Sequence, residues 1–194
     1  MCRPPTDADD EVRSGPDGST RRRSCLCGRS PGGCRRQRDF VAAVVDDGGE
    51  SGQLTEARAV PTSPFTRFDG TETSMLDYRG QKLVVNFFSS TCVPCKREMP
   101  DFERVARQAG DEVTFIGIDV QDGRAEGMAF VEQTGVTYDI GEDPTGELFN
   151  EFGGTVLPLT AFVAADGTVL DSHTGRLSET ALRERISANL LGGG

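Results

Sequence analysis

The pattern of apolar and polar positions predicts alternating strands and helices from about residue 62 onward. Residues 83–88 form a continuous apolar run interrupted by one Asn, which is typical of a central strand covered on both faces. Apolar residues then recur at helical spacing and predict a helix over about 93–109. A second buried strand is predicted at 113–120 and a second helix at 125–134. This order indicates parallel strands joined by crossovers.

Shorter elements complete the pattern on both sides. The Asp-Gly turn at 69–70 separates two short β-type runs and predicts a hairpin at a sheet edge. Because the apolar spacing of the first long helix continues past Pro100, that helix is predicted to kink there rather than end. The C-terminal part predicts a short helix, a strand, its hairpin partner and a closing helix capped by Ser178. These four elements cover residues 146–152, 159–164, 168–172 and 178–191.

Composition divides the chain near residue 60. Of the thirteen Phe and Tyr residues, only Phe40 precedes residue 61. Residues 1–60 are rich in Gly, Pro, Ser, Asp and Arg, and such a segment buries too little apolar surface to offset chain entropy. The sequence therefore predicts a disordered N-terminal segment, 1–60, and one folded domain, 61–194.

The net charge of the chain limits the classes of partner that it can bind. The chain has 31 acidic and 21 basic side chains, and its net charge of −10 arises entirely after residue 70. An acidic domain without a basic stripe repels nucleic acids and anionic lipid surfaces. We therefore expect no nucleic-acid partner and expect proteins or small thiols instead.

The N-terminal region shows no targeting or membrane signal. No stretch reaches the ~18 apolar residues of a spanning helix, and no run near the start has the ~7–15 apolar residues of a signal peptide. Taken literally, this predicts a cytoplasmic protein. Four cysteines in this region match no metal or disulfide spacing that carries a prediction: Cys2, Cys25, Cys27 and Cys34.

A pair of cysteines, Cys92 and Cys95, lies between the predicted central strand and the helix after it. Zinc sites and redox dithiols share this two-residue spacing. A structural zinc needs four ligands, whereas the rest of the predicted domain offers only His173, for which we expect a structural role. A sulfur at a helix N-terminus is stabilised as the thiolate. Cys92 is therefore the predicted attacking thiol and Cys95 the shielded, resolving thiol.

Two neighbours of the pair fit this interpretation. Pro94 falls in the first helical turn, where its missing N–H costs nothing. Lys96 adds positive charge near the thiols, although a solvated position on the helix surface explains it equally well. Both are supporting residues of the predicted site.

The segment from Val85 to Pro100, Val-Asn-Phe-Phe-Ser-Ser-Thr-Cys-Val-Pro-Cys-Lys-Arg-Glu-Met-Pro, resembles the active-site stretch of the TlpA/ResA group of thioredoxin-like proteins. The resemblance extends from about residue 62 to 191. It includes the leading hairpin, a strand-helix insertion at 117–152 and the loop at 154–158. It implies an α/β thioredoxin fold, with a central mixed sheet flanked by helices.

The resemblance also implies an activity and a site. The chain would be a thiol-disulfide oxidoreductase exchanging protein disulfides through Cys92 and Cys95, by resemblance a reductase in cytochrome c maturation or envelope disulfide repair. Pro158 would be cis and lie against the disulfide as the third catalytic residue. The backbone at Leu157 would pair with the substrate peptide. No metal and no cofactor beyond the disulfide are implied, and the protein would be a monomer with an upstream thiol donor or acceptor.

Members of this group begin with a signal peptide, a lipoprotein signal or a membrane anchor, which implies a location in the cell envelope. No such element precedes residue 60 here. We therefore expect that the displayed start or reading frame upstream of about residue 40 is wrong.

Three positions depart from the resembled pattern. Thr91 replaces the aromatic residue that usually precedes the first cysteine. Asn86 stands where thioredoxins carry a buried acid, and Val93 stands where some members of the group have Glu between the cysteines, so the usual proton acceptors for Cys95 are absent. Glu98, one turn beyond Cys95, is a candidate substitute, but the favoured interpretation of this charged residue is a carboxylate on the helix surface, in a solvated pair.

Two other functions stay open at this point. A peroxiredoxin-like peroxidase needs a Pro-x-x-x-Thr context before its reactive cysteine, and that proline is missing here. A copper delivery protein of thioredoxin fold uses a Cys-x-x-x-Cys pair with a distal His, whereas the spacing here is two residues.

Overall fold

The computed structural model describes residues 58–192 of the chain. The expectations about the chain start, the four N-terminal cysteines and the disorder of residues 1–57 lie outside the described residues. The sheet already includes Arg58–Ala59, so it begins three residues ahead of the predicted domain boundary at 61. No helix within the described range is long and apolar enough to cross a membrane.

Eight strands form a single mixed sheet in the order β1-β8-β7-β4-β5-β6-β2-β3. The strands are β1 Arg58–Ala59, β2 Phe65–Arg67, β3 Glu72–Thr73, β4 Leu83–Phe88, β5 Thr114–Val120, β6 Asp139–Asp143, β7 Leu159–Val163 and β8 Thr168–Thr174. The helices are α1 Val93–Ala109, α2 Arg124–Thr134, α3 Glu147–Glu151 and α4 Glu179–Ile186, which a π-helical turn at Ser187–Leu191 extends. Strands β4, β5 and β6 run parallel and the other pairs are antiparallel. This mixed sheet flanked by helices confirms the predicted thioredoxin fold.

The strongest sequence signals match the structure closely. Strand β4 has the predicted bounds and is buried along its whole length. Helix α1 also has the predicted bounds and continues through Pro100. Ser178 caps α4, since its side chain accepts a hydrogen bond from the Ala181 N–H at 3.3 Å. The predicted hairpin is the β2–β3 ribbon, and β3 is an edge strand of the sheet.

Strand β6 is an element that the apolar pattern does not predict. Its sequence, Asp-Ile-Gly-Glu-Asp, contains one large apolar residue, Ile140. Hydrogen bonding to its neighbours stabilises β6, because β6 lies between β5 and β2 and pairs with both strands. Its position extends the sheet beyond β5 and carries the N-terminal hairpin.

Two main hydrophobic cores lie on opposite faces of the sheet, and a third, smaller cluster surrounds Cys95. On one face, α1 and α4 bury Phe102 and Leu182 against strand residues such as Phe162. On the other face, Leu148 of α3 and Phe152, which directly follows α3, pack against residues that include Phe87. Strand β4 contributes to both cores, so the end of β4 where α1 begins is held firmly in place.

The contact between Gly141 and Phe65 gives a first testable prediction. A Cβ atom at Gly141 would lie 2.4 Å from Cδ2 of the buried Phe65 ring. We expect Gly141→Ala to lower the free energy of unfolding by about 1–3 kcal/mol, because the ring has to move within a packed core. Denaturant titration measures this loss.

A double-mutant cycle tests whether crowding causes the loss. The smaller side chain of Phe65→Leu should leave room for the new methyl group, so the two changes together should cost less than the sum of their separate costs. Additive losses would contradict this explanation.

Candidate active site

The two cysteines lie where the buried strand β4 passes into helix α1. They form a disulfide with a Cα–Cα distance of 5.2 Å. Cys92 is the N-cap residue of α1, and its Sγ accepts a hydrogen bond from the Cys95 N–H at 3.2 Å. Pro94 occupies the first turn, as predicted. The redox-active pair therefore has the predicted place at a helix N-terminus.

The two sulfurs differ in their exposure to solvent. Cys92 is partly exposed, whereas Cys95 is completely buried among Phe88, Met99 and Phe130. A partner sulfur can therefore reach Cys92 but not Cys95. This asymmetry fits the predicted roles of attacking and resolving thiol.

The Leu157–Pro158 peptide bond is cis, which confirms that part of the prediction. Pro158 is buried directly before β7, whose first residue, Leu159, pairs with Phe87 near the end of β4. Leu157 is half-buried and packs with Cys92 against the cluster around Cys95. The loop that carries the cis proline thus lies next to the disulfide.

Glu98 corrects an expectation drawn from the sequence. It is not a solvated surface carboxylate but is completely buried. The Asn86 side-chain amide donates to Glu98 Oε1 at 2.9 Å, and the Leu177 N–H donates to Oε2 at 3.0 Å. Burial raises the pKa of Glu98 to about 8, although both hydrogen bonds and the charge of Arg176 act in the opposite direction.

A pattern in the sequence could have revealed the burial of Glu98. Position 98 is three residues after Cys95 and four before Phe102, so it falls within the apolar stripe that α1 turns toward the sheet. A charged residue inside such a stripe is buried unless the stripe is interrupted. Buried carboxyl groups with a raised pKa are typical of functional sites.

Asn86 occupies the middle of β4 and links the helix to the sheet. Its Nδ2 donates to Glu98 and also approaches Thr160 Oγ1 on the neighbouring strand β7 at 3.4 Å. Asn86 and Glu98 form a buried pair of one amide and one carboxyl group, and Glu98 lies one turn of α1 beyond Cys95. Asn86 stands where the buried acid is usual, and Glu98, bonded to Asn86, supplies a buried acid from the helix instead.

The remaining predicted residues have simpler surroundings. Thr91 and Lys96 are exposed beside the disulfide, and Thr91 Oγ1 lies 3.0 Å from Ser89 Oγ. His173 is buried on β8, where its Nδ1 lies 3.3 Å from the guanidinium of Arg185. Burial and the charge of Arg185 lower the pKa of His173. These contacts agree with the structural role expected for this histidine.

Sequence analysis missed Asp122, which contacts the turn before Cys92. Its carboxylate accepts a hydrogen bond from the Ser90 N–H, and its Oδ1 lies 3.4 Å from Ser89 Oγ. Asp122 follows strand β5, so it is distant from the cysteines in the chain. The one available signal was its place after a parallel strand, at the sheet edge where the site also lies.

Known proteins similar to this chain share its fold and its thiol chemistry. A family model described as Redoxin matches residues 55–190. The thiol-disulfide oxidoreductase ResA of Geobacillus thermodenitrificans is 26% identical over 131 residues, covering 66% of this chain and 74% of ResA. The thiol:disulfide interchange protein CycY of Rhizobium leguminosarum is 30% identical over 109 residues, covering 56% and 58%. The solved structure of Mycobacterium tuberculosis DsbF, in mixed oxidized and reduced forms, has 30% identity and a TM-score of 0.62, covering 66% of this chain and 98% of DsbF.

Proposed function

This chain belongs to the Redoxin family as a thiol-disulfide oxidoreductase, and we propose that it reduces protein disulfides in the cell envelope. The observation that carries the proposal is the unequal exposure of two bonded sulfurs, Cys92 and Cys95. Such a dithiol exchanges electrons with a partner through one sulfur while the other is protected. The resemblance of residues 85–100 to the TlpA/ResA group supports a role in cytochrome c maturation or disulfide repair.

The first step is attack by Cys92. In the reduced enzyme the N-terminus of α1 and the Cys95 N–H stabilise the Cys92 thiolate. The thiolate attacks one sulfur of the substrate disulfide, forms a bond with it and breaks the substrate S–S bond. The other substrate sulfur leaves as a thiolate and takes a proton from solvent.

The second step releases the product. Cys95 has to lose its proton before it can attack, and its burial disfavours the thiolate. Glu98, three residues further along α1 and held by Asn86, accepts this proton. The Cys95 thiolate then attacks Cys92 Sγ, which breaks the mixed disulfide, expels the substrate sulfur as a thiolate and restores the Cys92–Cys95 disulfide. An upstream thiol donor returns the two electrons.

The surface around Cys92 suggests how a substrate peptide is held. Within the described residues no backbone hydrogen bond involves Leu157, so its N–H and C=O can pair with an extended peptide. Val93 and Val156 expose apolar side chains beside the disulfide and the cis-proline loop, respectively. Thr91 supplies a hydroxyl where an aromatic ring is usual, so the substrate face is more polar at that point.

The proposal includes a compartment and a set of partners. The resemblance to the TlpA/ResA group, whose members carry an export signal or a membrane anchor, supports a location outside the cytoplasm. The partners are a protein disulfide substrate and a thiol electron donor, and the protein acts as a monomer. The exchange steps require no metal and no cofactor other than the disulfide. No observation within residues 58–192 favours peroxidase activity or copper delivery.

The reduction potential of the pair tests the proposed direction. The full chain is equilibrated in glutathione buffers of known ratio, its thiols are trapped, and the peptide with Cys92 and Cys95 is quantified by mass spectrometry. Analysis of this peptide excludes signal from the N-terminal cysteines, and Cys95→Ala supplies the baseline. We expect a potential near or below about −270 mV, that of thioredoxin. A value near about −120 mV would identify an oxidase and overturn the proposal.

A further inference from the structure

A buried carboxyl group, that of Asp119, lies at the end of β5 and has no assigned role. Asp119 is 3% exposed, and in the described part of the chain its Oδ1 has no hydrogen-bond partner. In the sheet it is paired with Phe88 on one side and with Glu142 on the other. Its carboxyl group also lies at hydrogen-bond distance from that of Asp122.

Helix α2 is shaped to accept this carboxyl group. A Cβ atom at Gly127 would lie 1.8 Å from Asp119 Oδ2, a distance that no side chain tolerates. Glycine within a helix costs up to about 1 kcal/mol relative to alanine, and its use here allows the helix to lie directly on the carboxyl group. Phe68 encloses the same position, since its Cζ lies 3.0 Å from that Cβ site.

A series of hydrogen bonds connects this carboxyl group with the attacking cysteine. Asp122, next to Asp119, accepts from the Ser90 N–H and approaches Ser89 Oγ. Ser89 Oγ in turn accepts from the Thr91 N–H at 3.3 Å, and the Ser89 carbonyl accepts from the Cys92 N–H at 3.1 Å. The turn that carries Cys92 is therefore attached to the carboxylate of Asp122.

The charges around Asp119 favour its neutral form. Asp122 and Glu142 both add negative charge, and Arg124 of α2 is bound to Glu142 and to the Phe68 carbonyl. Burial, followed by the effects of Asp122 and Glu142, raises the pKa of Asp119 to about 8. At neutral pH the proton on Asp119 can therefore bridge two carboxyl groups that would otherwise repel each other.

We propose that Asp119 and Asp122 share a proton and that this pair positions the turn from Ser89 to Thr91, and with it Cys92. When Asp119 loses the proton, repulsion displaces the Asp122 carboxylate from the Ser90 N–H and releases the turn. Asp119 and Asp122 are positioning residues, since neither touches the reacting sulfurs. The inference rests on the proposed function, because its consequence is a slower attack by Cys92 at alkaline pH.

An NMR titration of the full chain tests the pair without measuring activity. The Ser90 amide resonance reports the hydrogen bond to Asp122, and we expect it to shift with a midpoint near pH 8. In Asp119→Asn this shift should vanish, because the new amide donates to Asp122 at every pH. Glu98→Gln is the matched control, since it removes the other carboxyl group that titrates near pH 8 and should leave the Ser90 shift unchanged.

A second variant keeps the test decisive if Asp119→Asn does not fold. Asp122→Asn removes the neighbouring negative charge, so the remaining titration of Asp119 should move to lower pH. A Ser90 resonance that titrates identically in the wild type and in either aspartate variant would overturn the inference.

Kinetics then connects the pair to Cys92. The rate constant for Cys92 attack on a cyclic peptide disulfide, divided by the Cys92 thiolate fraction, should fall about tenfold above pH 8 in the wild type, as expected for a misplaced nucleophile. The fall should be absent in Asp119→Asn, and Asp122→Ala should be slow at every pH. A pH-independent wild-type rate constant would refute the coupling. Absence of disulfide reduction would refute the proposed function alone, because the Ser90 titration does not depend on it.

Discussion

Replacement of Cys95 by alanine is expected to convert the enzyme into a trap for its substrate. Cys92 would still attack a disulfide, because it is partly exposed and lies at the N-terminus of α1. The mixed disulfide could not be resolved, since no other described cysteine is present to break it. Turnover should fall by at least about a thousandfold, as for other enzymes that lose a covalent participant. Non-reducing gels and the intact mass of the full chain would show the accumulated adduct.

Cys92→Ala is the matched control for this experiment. The remaining Cys95 is completely buried, so the variant should neither turn over nor form an adduct in the folded domain. Peptide mapping separates adducts at Cys92 from adducts at the N-terminal cysteines. An adduct mapped to Cys95 in the Cys92→Ala variant would reverse the two roles and contradict the mechanism.

The sequence predicts the framework of the site well because that framework depends on local periodicity. A run of six buried residues is sufficient to identify β4, and the apolar spacing from Met99 to Ala109 is sufficient to identify α1. The junction between them places Cys92 and Cys95 without any long-range information. The order of these elements indicates parallel strands joined by crossovers, and the resemblance of residues 85–100 to the TlpA/ResA group implies the thioredoxin fold.

The polar environment of the site depends on contacts that local patterns do not encode. Asp122 reaches Ser90 across 32 positions of the chain, and the Leu177 N–H reaches Glu98 across 79. Strand β6 is polar and exists because two neighbours pair with it. For Glu98, charge alone suggested exposure, whereas its position within the apolar stripe of α1 determined its burial.

Glu98→Gln is expected to slow the release of product more than the initial attack. General bases contribute about 10²–10⁴-fold to a rate, so resolution of the mixed disulfide should slow by about a hundredfold or more. In the wild type this step should accelerate as pH rises through about 8, where Glu98 becomes ionised and can accept the Cys95 proton. In the variant the acceleration should require higher pH, at which Cys95 ionises unaided. Stopped-flow measurement of the second step resolves these profiles.

Glu98→Gln should also change how the free energy of unfolding depends on pH, and this effect can be measured separately from the rate. The pKa of Glu98 is raised from 4.5 to about 8 on folding, so the folded state binds this proton more tightly than the unfolded state. The corresponding stability is complete below about pH 4.5 and is lost as pH rises through about 8, with a magnitude on the order of 5 kcal/mol. Glu98→Gln should therefore flatten the fall in unfolding free energy between these values. As a control, Glu112→Gln at an exposed position should leave this fall in the free energy of unfolding unchanged.

Asp119 contributes a second part of this pH dependence, and separating the two parts tests the role given to Glu98. Its pKa is also raised to about 8, so Glu98→Gln alone should leave part of the slope. The double variant with Asp119→Asn should remove most of the remainder, because the two carboxyl groups lie in different hydrogen-bond networks and their effects should add. If Glu98→Gln leaves the slope of the unfolding free energy unchanged, Glu98 is already ionised in the folded protein at neutral pH. Its part as the proton acceptor that switches near pH 8 would then be wrong.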